Sequence, residues 1–264
     1  MGEVERGIKL GNTLVKIGTC GFPRSRKVVY EGVDAVEIQE SFYNLLTNRK
    51  IESILRSKPP GFSITMKAWQ ATTHPSSSPT WRRMKSKPKG DLKNYGWMRC
   101  TKENLDALRK TVEQAKKLKA EVIVFQTPSS MPLTKEHVGE VLKFLSQALE
   151  LAGEDLKVAW EPRGEWVNRN DVLSEAEEEG VIIIYDALRR NCIRVSQGIG
   201  YTRLHGLGSR EVNYKYKYTD EDLIKLKELI NKTAQEGASR IYVMFNNVYM
   251  LDDAIRLRRM LEED

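Results

Sequence analysis

Eight short β-type runs recur along the chain, most of them ending in a polar or charged side chain where the apolar pattern stops, and amphipathic helical stretches follow most of them. The runs are Leu14–Gly18, Val33–Gln39, Phe62–Lys67, Glu121–Gln126, Lys157–Glu161, Val181–Asp186, Tyr201–His205 and Arg240–Asn246. Strands that alternate with helices build a parallel sheet, and eight such units are the count of a TIM-type (β/α)8 barrel. The expected fold is therefore α/β, one barrel domain over residues 1–264, with an N-terminal extension over 1–13. In such barrels the chemistry sits where the strands end, which already selects the residues to follow.

The helices are read from spacing. Leu105, Leu108, Val112, Ala115 and Leu118 fall on one face, as do Val138, Val141, Leu142, Leu145 and Leu149, and then Leu223, Leu226 and Ile230. Gly153, Gly180 and Gly237 stand where a left-handed residue closes a helix before a strand, and Thr219 with Asp222 forms a capping-box start. Thr19 to Gly32 departs from this rhythm: Gly21, Pro23 and the basic run Arg24-Ser25-Arg26-Lys27 predict a degenerate first helix.

Charge and cysteine usage narrow the classes. Forty-three Lys plus Arg against thirty-six Asp plus Glu leave +7, a moderately basic protein for which an anionic partner is plausible. Cys20, Cys100 and Cys192 are far apart, odd in number and without a C-x-x-C pair, which argues against a disulfide framework or a structural zinc site. Met1 to Thr13 carries charges and no apolar run of signal length, and no stretch reaches about 18 apolar residues, so the expected location is cytoplasmic, without a membrane partner.

A long basic loop after the third strand, Ala68 to Cys100, has no sustained periodicity. Loops of this length inside a domain are usually functional or mobile. Arg82, Arg83, Lys85, Lys87, Lys89, Lys93 and Arg99 are interleaved with Trp69, Trp81, Tyr95 and Trp97, a mixture of phosphate-binding cations and stacking rings. Arg82, Arg83, Lys85 and Trp97 are the candidates for nucleic-acid contact; the competing expectation is a solvated basic loop whose tryptophans fold back onto the barrel.

Residues two apart on a strand share a side. Glu37 then groups with Gln39, Thr65 with Lys67, Ala159 with Glu161, Arg203 with His205, and Met244 with Asn246; Gln126, Arg163 and Asp186 complete a strand-end set. Such a gathering suits a phosphorylated or carboxylated ligand, acid–base chemistry, or a salt-bridge network that plugs the barrel end. The even spacing within 161–163 and 203–205 predicts that Glu161, Arg163, Arg203 and His205 converge, with Lys67 and Asn246 in reach.

These positions carry a resemblance. Gly18-Thr19-Cys20-Gly21-Phe22, Val36-Glu37-Ile38-Gln39-Glu40-Ser41-Phe42-Tyr43, Met66-Lys67-Ala68 followed by Thr73-His74, Phe125-Gln126-Thr127-Pro128, Trp160-Glu161-Pro162-Arg163, Arg203-Leu204-His205-Gly206 and Phe245-Asn246-Asn247 together resemble the domain of unknown function 72 (YecE-like) family. The resemblance implies a TIM barrel and a shared pocket from Glu37, Lys67, His74, Gln126, Glu161, Arg163, Arg203, His205, Asn246 and Asn247. It implies no reaction. This chain departs from the family's pattern at Cys20 and Phe22, at Gln39 and at Val248-Tyr249-Met250.

With three histidines, His137 early in a helix, the chain offers too few ligands for a multi-zinc centre, and no bound cofactor is expected. A weakly held Mg²⁺ on Glu37, Glu161 or Asp186 with water is compatible with one or two carboxylates. No phosphate loop or dinucleotide turn occurs.

The leading expectation is a protein that binds or acts on a phosphate-bearing substrate, nucleic acid first among the classes, as a hydrolase or lyase. Arg163 and Arg203 would clamp phosphate, Lys67 supply charge, Glu37 or Glu161 act as general base and His205 as general acid. One alternative is a Schiff-base lyase or aldolase-like enzyme using Lys67. The other is a non-catalytic nucleic-acid-binding platform using Tyr214, Tyr216 and Tyr218, which alternate with Lys215 and Lys217.

Overall fold

A computed structural model of the chain describes residues 5–263. Met1–Val4, the start of the expected N-terminal extension, lie outside the described residues. In chain order the elements are β1 (Ile8–Leu10), β2 (Thr13–Cys20), α1 (Arg26–Gly32), β3 (Ala35–Ile38), α2 (Glu40–Tyr43), α3 (Asn48–Ser57), β4 (Ser63–Lys67), α4 (Gln70–Thr73) and α5 (Lys102–Lys117). They continue as β5 (Val122–Gln126), α6 (Lys135–Ala152), β6 (Lys157–Glu161), α7 (Asn170–Glu179), β7 (Ile182–Ile183), α8 (Ala187–Arg190), β8 (Val195–Ser196), β9 (Ile199–Leu204), α9 (Asp220–Gln235), β10 (Arg240–Phe245) and α10 (Met250–Glu262). Among the described residues no helix is long and apolar enough to cross a membrane.

The chain divides into two units, and β4 begins in the first and ends in the second. The first comprises Met1–Ile38, Ser57–Ile64 and Ile184–Asp264. In it β10 lies parallel between β2 and β9, and β3 lies parallel on the other side of β2. Two antiparallel additions, β1 on β2 and β8 on β9, have no counterpart in the eight predicted runs. They are short hairpin arms of three and two residues, below the length at which alternation can be read. α9 starts at the expected capping box, with Thr219 and Asp222 each satisfying the other's backbone N–H, and buries Leu223, Leu226 and Ile230.

The second unit comprises Gln39–Arg56 and Thr65–Ile183. Here β5 lies parallel between β4 and β6, and β7 joins the far side of β6. α5 buries Leu108, Val112 and Ala115, and α6 buries Val141, Phe144 and Leu145, close to the apolar faces read from spacing. Gly153, Gly180 and, in the first unit, Gly237 follow helices with positive φ, as their positions predict.

Two elements differ from expectation. The sixth run shortens to two residues plus a bridge from Tyr185 to Thr202, because Asp186 turns the chain into α8 by accepting the Leu188 and Arg189 N–H groups. The basic connection before the second predicted run holds a real helix, α1, of seven residues, which begins only after Arg24 and Ser25.

The long basic loop organises itself. α4 and two 3₁₀ turns, Pro79–Arg83 and Leu92–Asn94, interrupt it. Trp69, Trp81, Met84 and Tyr95 bury one another with Ala71 and with Ala107 of α5, so the rings fold inward. Burial of each such ring stabilises by about 1.5–3 kcal/mol, enough to order a segment that lacks periodic structure. Gly96 is required there: its φ is +85°, and a Cβ would lie 2.4 Å from the His74 carbonyl group.

Candidate functional site

In the first unit, β3 and β9 bring an acid and two donors together. Glu37 accepts from Arg203 Nη2 at 2.8 Å and from the Tyr201 hydroxyl at 2.8 Å. Glu37, Arg203 and Tyr201 are all fully buried. The pairing follows from parity: Tyr201 and Arg203 are two apart on β9 and in register with Tyr242 and Met244 of β10. Tyr201 was not among the predicted residues, although the same parity that grouped Arg203 with His205 would have found it.

One step further along these strands, Asn246 Nδ2 lies 3.1 Å from His205 Nδ1. An amide nitrogen only donates, so Nδ1 accepts and a neutral His205 carries its proton on Nε2. The His205 N–H donates to Asp186 Oδ2 at 3.0 Å, which joins the start of α8 to the end of β9. Asn247 turns away from this pair, donating to the Tyr216 carbonyl and to Asp253 Oδ2, both at 2.7 Å. Asp253 is fully buried, and burial pushes its carboxyl above the usual range, although Asn247 and Arg256 oppose the shift. Asp253 is thus a supporting residue, and only its contact with Asn247 reveals it.

In the second unit, the ends of β4, β5 and β6 present a different set. Lys67 Nζ donates to Gln126 Oε1 at 2.8 Å and sits 4.1 Å from the centre of the Phe42 ring. Gln126 is in register with Glu161, whose Oε1 lies 2.5 Å from Arg163 Nη2, with both side chains buried. His74 packs edge-on against the same Phe42 ring, 5.0 Å between centres, and its Nδ1 is 2.9 Å from the Thr73 hydroxyl. Phe42 is the surface shared by Lys67 and His74. It lies inside the quoted Ser41-Phe42-Tyr43 string, but spacing alone gives no reason to select it.

Burial, with Lys67 as a smaller cause, lowers the His74 pKa from 6.5 to about 3. The folded ring therefore stays neutral where the unfolded one takes a proton. The resulting stability is fully present above pH 6.5 and is lost as pH falls toward 3. Urea unfolding between pH 7 and 4 is expected to show this as a slope of up to about 1.4 kcal/mol per pH unit, absent from His74→Gln. Equal slopes for the two proteins would refute it.

The sequence-predicted residues thus fall into two groups. Glu37, Asp186, Arg203, His205, Asn246 and Asn247 belong to the first unit; Lys67, His74, Gln126, Glu161 and Arg163 belong to the second. Arg163 and Arg203 each hold a carboxylate. Among the described residues no three His, Cys, Asp or Glu side chains gather into a metal-binding group.

The candidate nucleic-acid residues are in the second unit. Arg82, Arg83 and Lys85 are exposed, and Arg83 stacks on the Tyr43 ring at 3.8 Å while donating to its hydroxyl. Two clefts open beside them. One, of about 470 Å³, lies between Tyr43, Lys50, Arg83 and Lys85. The other, of about 410 Å³, lies between Leu45, Lys85, Lys87, Lys89 and Lys110. Trp97 is only half-buried, its ring edge-on to His137 at 5.7 Å and beneath Arg99. Trp97 and Met98 both adopt positive φ, a conformation held by their N–H bonds to the Thr73 and Thr72 carbonyls.

Comparison with known proteins fits this picture. A DUF72 family protein from Enterococcus faecalis V583 superimposes with a TM-score of 0.72 at 16% identity, covering 95% of this chain and 98% of that one. A DUF72 family protein from Thermotoga maritima MSB8 gives 0.68 at 20% identity, covering 94% and 99%. A xylose isomerase domain containing protein from Salmonella typhimurium LT2 gives 0.59 at 12% identity, covering 97% and 98%. No curated protein matches the sequence. The fold is the TIM-type barrel expected from the strand count. The profile described as "Protein of unknown function DUF72" matches residues 28–264, and with nine-tenths of its length inside that match the chain belongs to the DUF72 family.

Proposed function

We propose that the protein binds, and acts on, a phosphate-bearing substrate, with nucleic acid as the substrate class. One observation carries this reading: Arg82, Arg83, Lys85, Lys87, Lys89 and Lys93 are all exposed, and none of them forms an ion pair with a carboxylate among the described residues. Of the acids beside them, Asp106 pairs with Lys110, Glu40 pairs with Lys50, and Asp91 accepts from the Lys93 N–H. Unpaired like charges within twelve residues repel one another, and an anion that bridges them relieves the repulsion while releasing condensed counterions.

Fluorescence anisotropy with labelled single- and double-stranded DNA and RNA at two salt concentrations tests the proposal. The triple variant Lys85→Glu, Lys87→Glu, Lys89→Glu should weaken binding at least about tenfold at low salt and reduce the salt slope by about two. No binding by the wild type at low salt would end this reading. Turnover by the wild type, lost in Glu161→Gln with binding intact, is the expected sign of catalysis. Binding without turnover on a broad nucleic-acid panel would favour a platform.

Lys67 supports a second reading, a Schiff-base lyase or aldolase-like enzyme. Its amine is buried at a strand end, beside the Phe42 ring and the Gln126 amide, the position from which barrel enzymes present catalytic side chains. Borohydride trapping with sugar phosphates and with abasic-site DNA should leave an adduct on Lys67 that is missing in Lys67→Met. Mass spectrometry showing no adduct at this residue removes the lyase reading.

A further inference from the structure

Of the four rings in the basic loop, Trp69, Trp81 and Tyr95 are buried, and Trp97 alone is partly exposed. Exposed rings occur elsewhere, in the first unit. Tyr214 is 53% exposed, Val248 64% and Tyr249 39%, and the Val248 N–H donates to the Tyr214 carbonyl at 2.7 Å. Lys217 Nζ stands 5.5 Å from the centre of the Tyr249 ring, and the edge of Tyr214 faces His205 at 6.4 Å. We infer that Tyr214, Val248 and Tyr249 form a stacking platform for the unpaired bases of a single-stranded nucleic acid, with Lys215 and Lys217 taking its phosphates.

The platform is rigid before anything binds. The Asn213 N–H donates to the His205 carbonyl and the Tyr216 N–H to the Asn213 carbonyl. Asn247 holds the Tyr216 carbonyl. Tyr216 and Tyr218 have different work: Tyr216 donates to Asp222, Tyr218 accepts from the Gly206 N–H, and their rings pack at 5.3 Å. Of the three alternating tyrosines, only Tyr214 therefore presents its ring outward, and Tyr249 supplies the second ring from the turn after β10. A ring held in place this way loses little entropy when a base stacks on it.

Arg210, Lys215 and Lys217 are exposed, whereas Asp220 pairs with Arg256, Asp222 caps α9 and accepts from Tyr216, and buried Asp253 accepts from Asn247; Glu211, Glu221 and Asp252 are the exposed acids nearby. Exposed aromatic rings with lysines beside them suit a chain of bases and phosphates. In a duplex the base faces are already stacked on one another, which restricts the platform to unpaired strands.

The inference rests on the nucleic-acid reading, and the experiment separates the two. Anisotropy compares a twenty-residue oligothymidylate with a duplex of equal length, using wild type, Tyr214→Ala/Tyr249→Ala and Tyr214→Phe/Tyr249→Phe. The alanine pair should weaken single-strand binding by about tenfold or more and change duplex binding less than about twofold, while the phenylalanine pair keeps wild-type affinity. A 5-iodouracil oligonucleotide should crosslink to Tyr214 or Tyr249. Unchanged single-strand affinity in the alanine pair, with crosslinks elsewhere, overturns the platform and leaves nucleic-acid binding standing. Absence of any binding by the wild type overturns both. Both tyrosines are exposed, so matched circular dichroism and melting curves establish that the variants are folded.

Discussion

Replacement of Arg203 by leucine is expected to lower the unfolding free energy by about 3–5 kcal/mol, the usual penalty for leaving one member of a buried ion pair alone. Arg203 and Glu37 are both fully buried and bonded at 2.8 Å. Loss of the guanidinium removes the charge-assisted bond to Glu37, which the neutral bond from the Tyr201 hydroxyl does not replace. The double variant Arg203→Leu, Glu37→Leu should recover most of the loss, because removal of both charges also removes the desolvation penalty. Guanidinium unfolding of the two variants decides the matter; a single variant within about 1 kcal/mol of wild type would show that the pair is not stabilising.

Trp81→Ala is expected to cost about 3–5 kcal/mol of the stability of the basic segment, from lost burial and the cavity left behind. Trp81 is the ring that closes this small core: it packs at 6.1 Å on Tyr95, and its Nε1 donates to the His74 carbonyl at 3.0 Å. A core of so few residues cannot absorb that loss by collapse, so the segment should open locally while the helices and strands stay folded. Limited proteolysis should cut within residues 76–99 in the variant and not in wild type. If the exposed cations bind nucleic acid as proposed, affinity falls with it even though no cation has been changed, because their spacing depends on this core. Equal protease resistance in the two proteins would refute the argument.

Much of the fold was legible because strand and helix periods are local properties. Lys157–Glu161 is a strand with the predicted ends, and Thr219–Asp222 caps the predicted helix. The sixth run was over-read, since the apolar string Val181–Tyr185 reports burial, whereas the strand end depends on Asp186 capping the next helix. The arms β1 and β8 were missed because two or three residues carry no period.

The site was legible as a set of residues and not as a set of partners. Parity selected Glu37, Arg203 and His205, and it could have selected Tyr201. Phe42 beneath Lys67, Thr73 beside His74 and Asp253 behind Asn247 came only from the folded chain. The loop shows the distinction most directly. Sequence alone determined that cations and aromatic rings alternate between Ala68 and Cys100, and left open whether the rings face solvent. Tertiary structure decided it: Trp69, Trp81 and Tyr95 gain more by burying one another against Ala107 than by remaining in water, while the lysines and arginines keep their hydration by staying outside. Composition is written residue by residue, but burial is a property of neighbours that the chain brings together only when it folds.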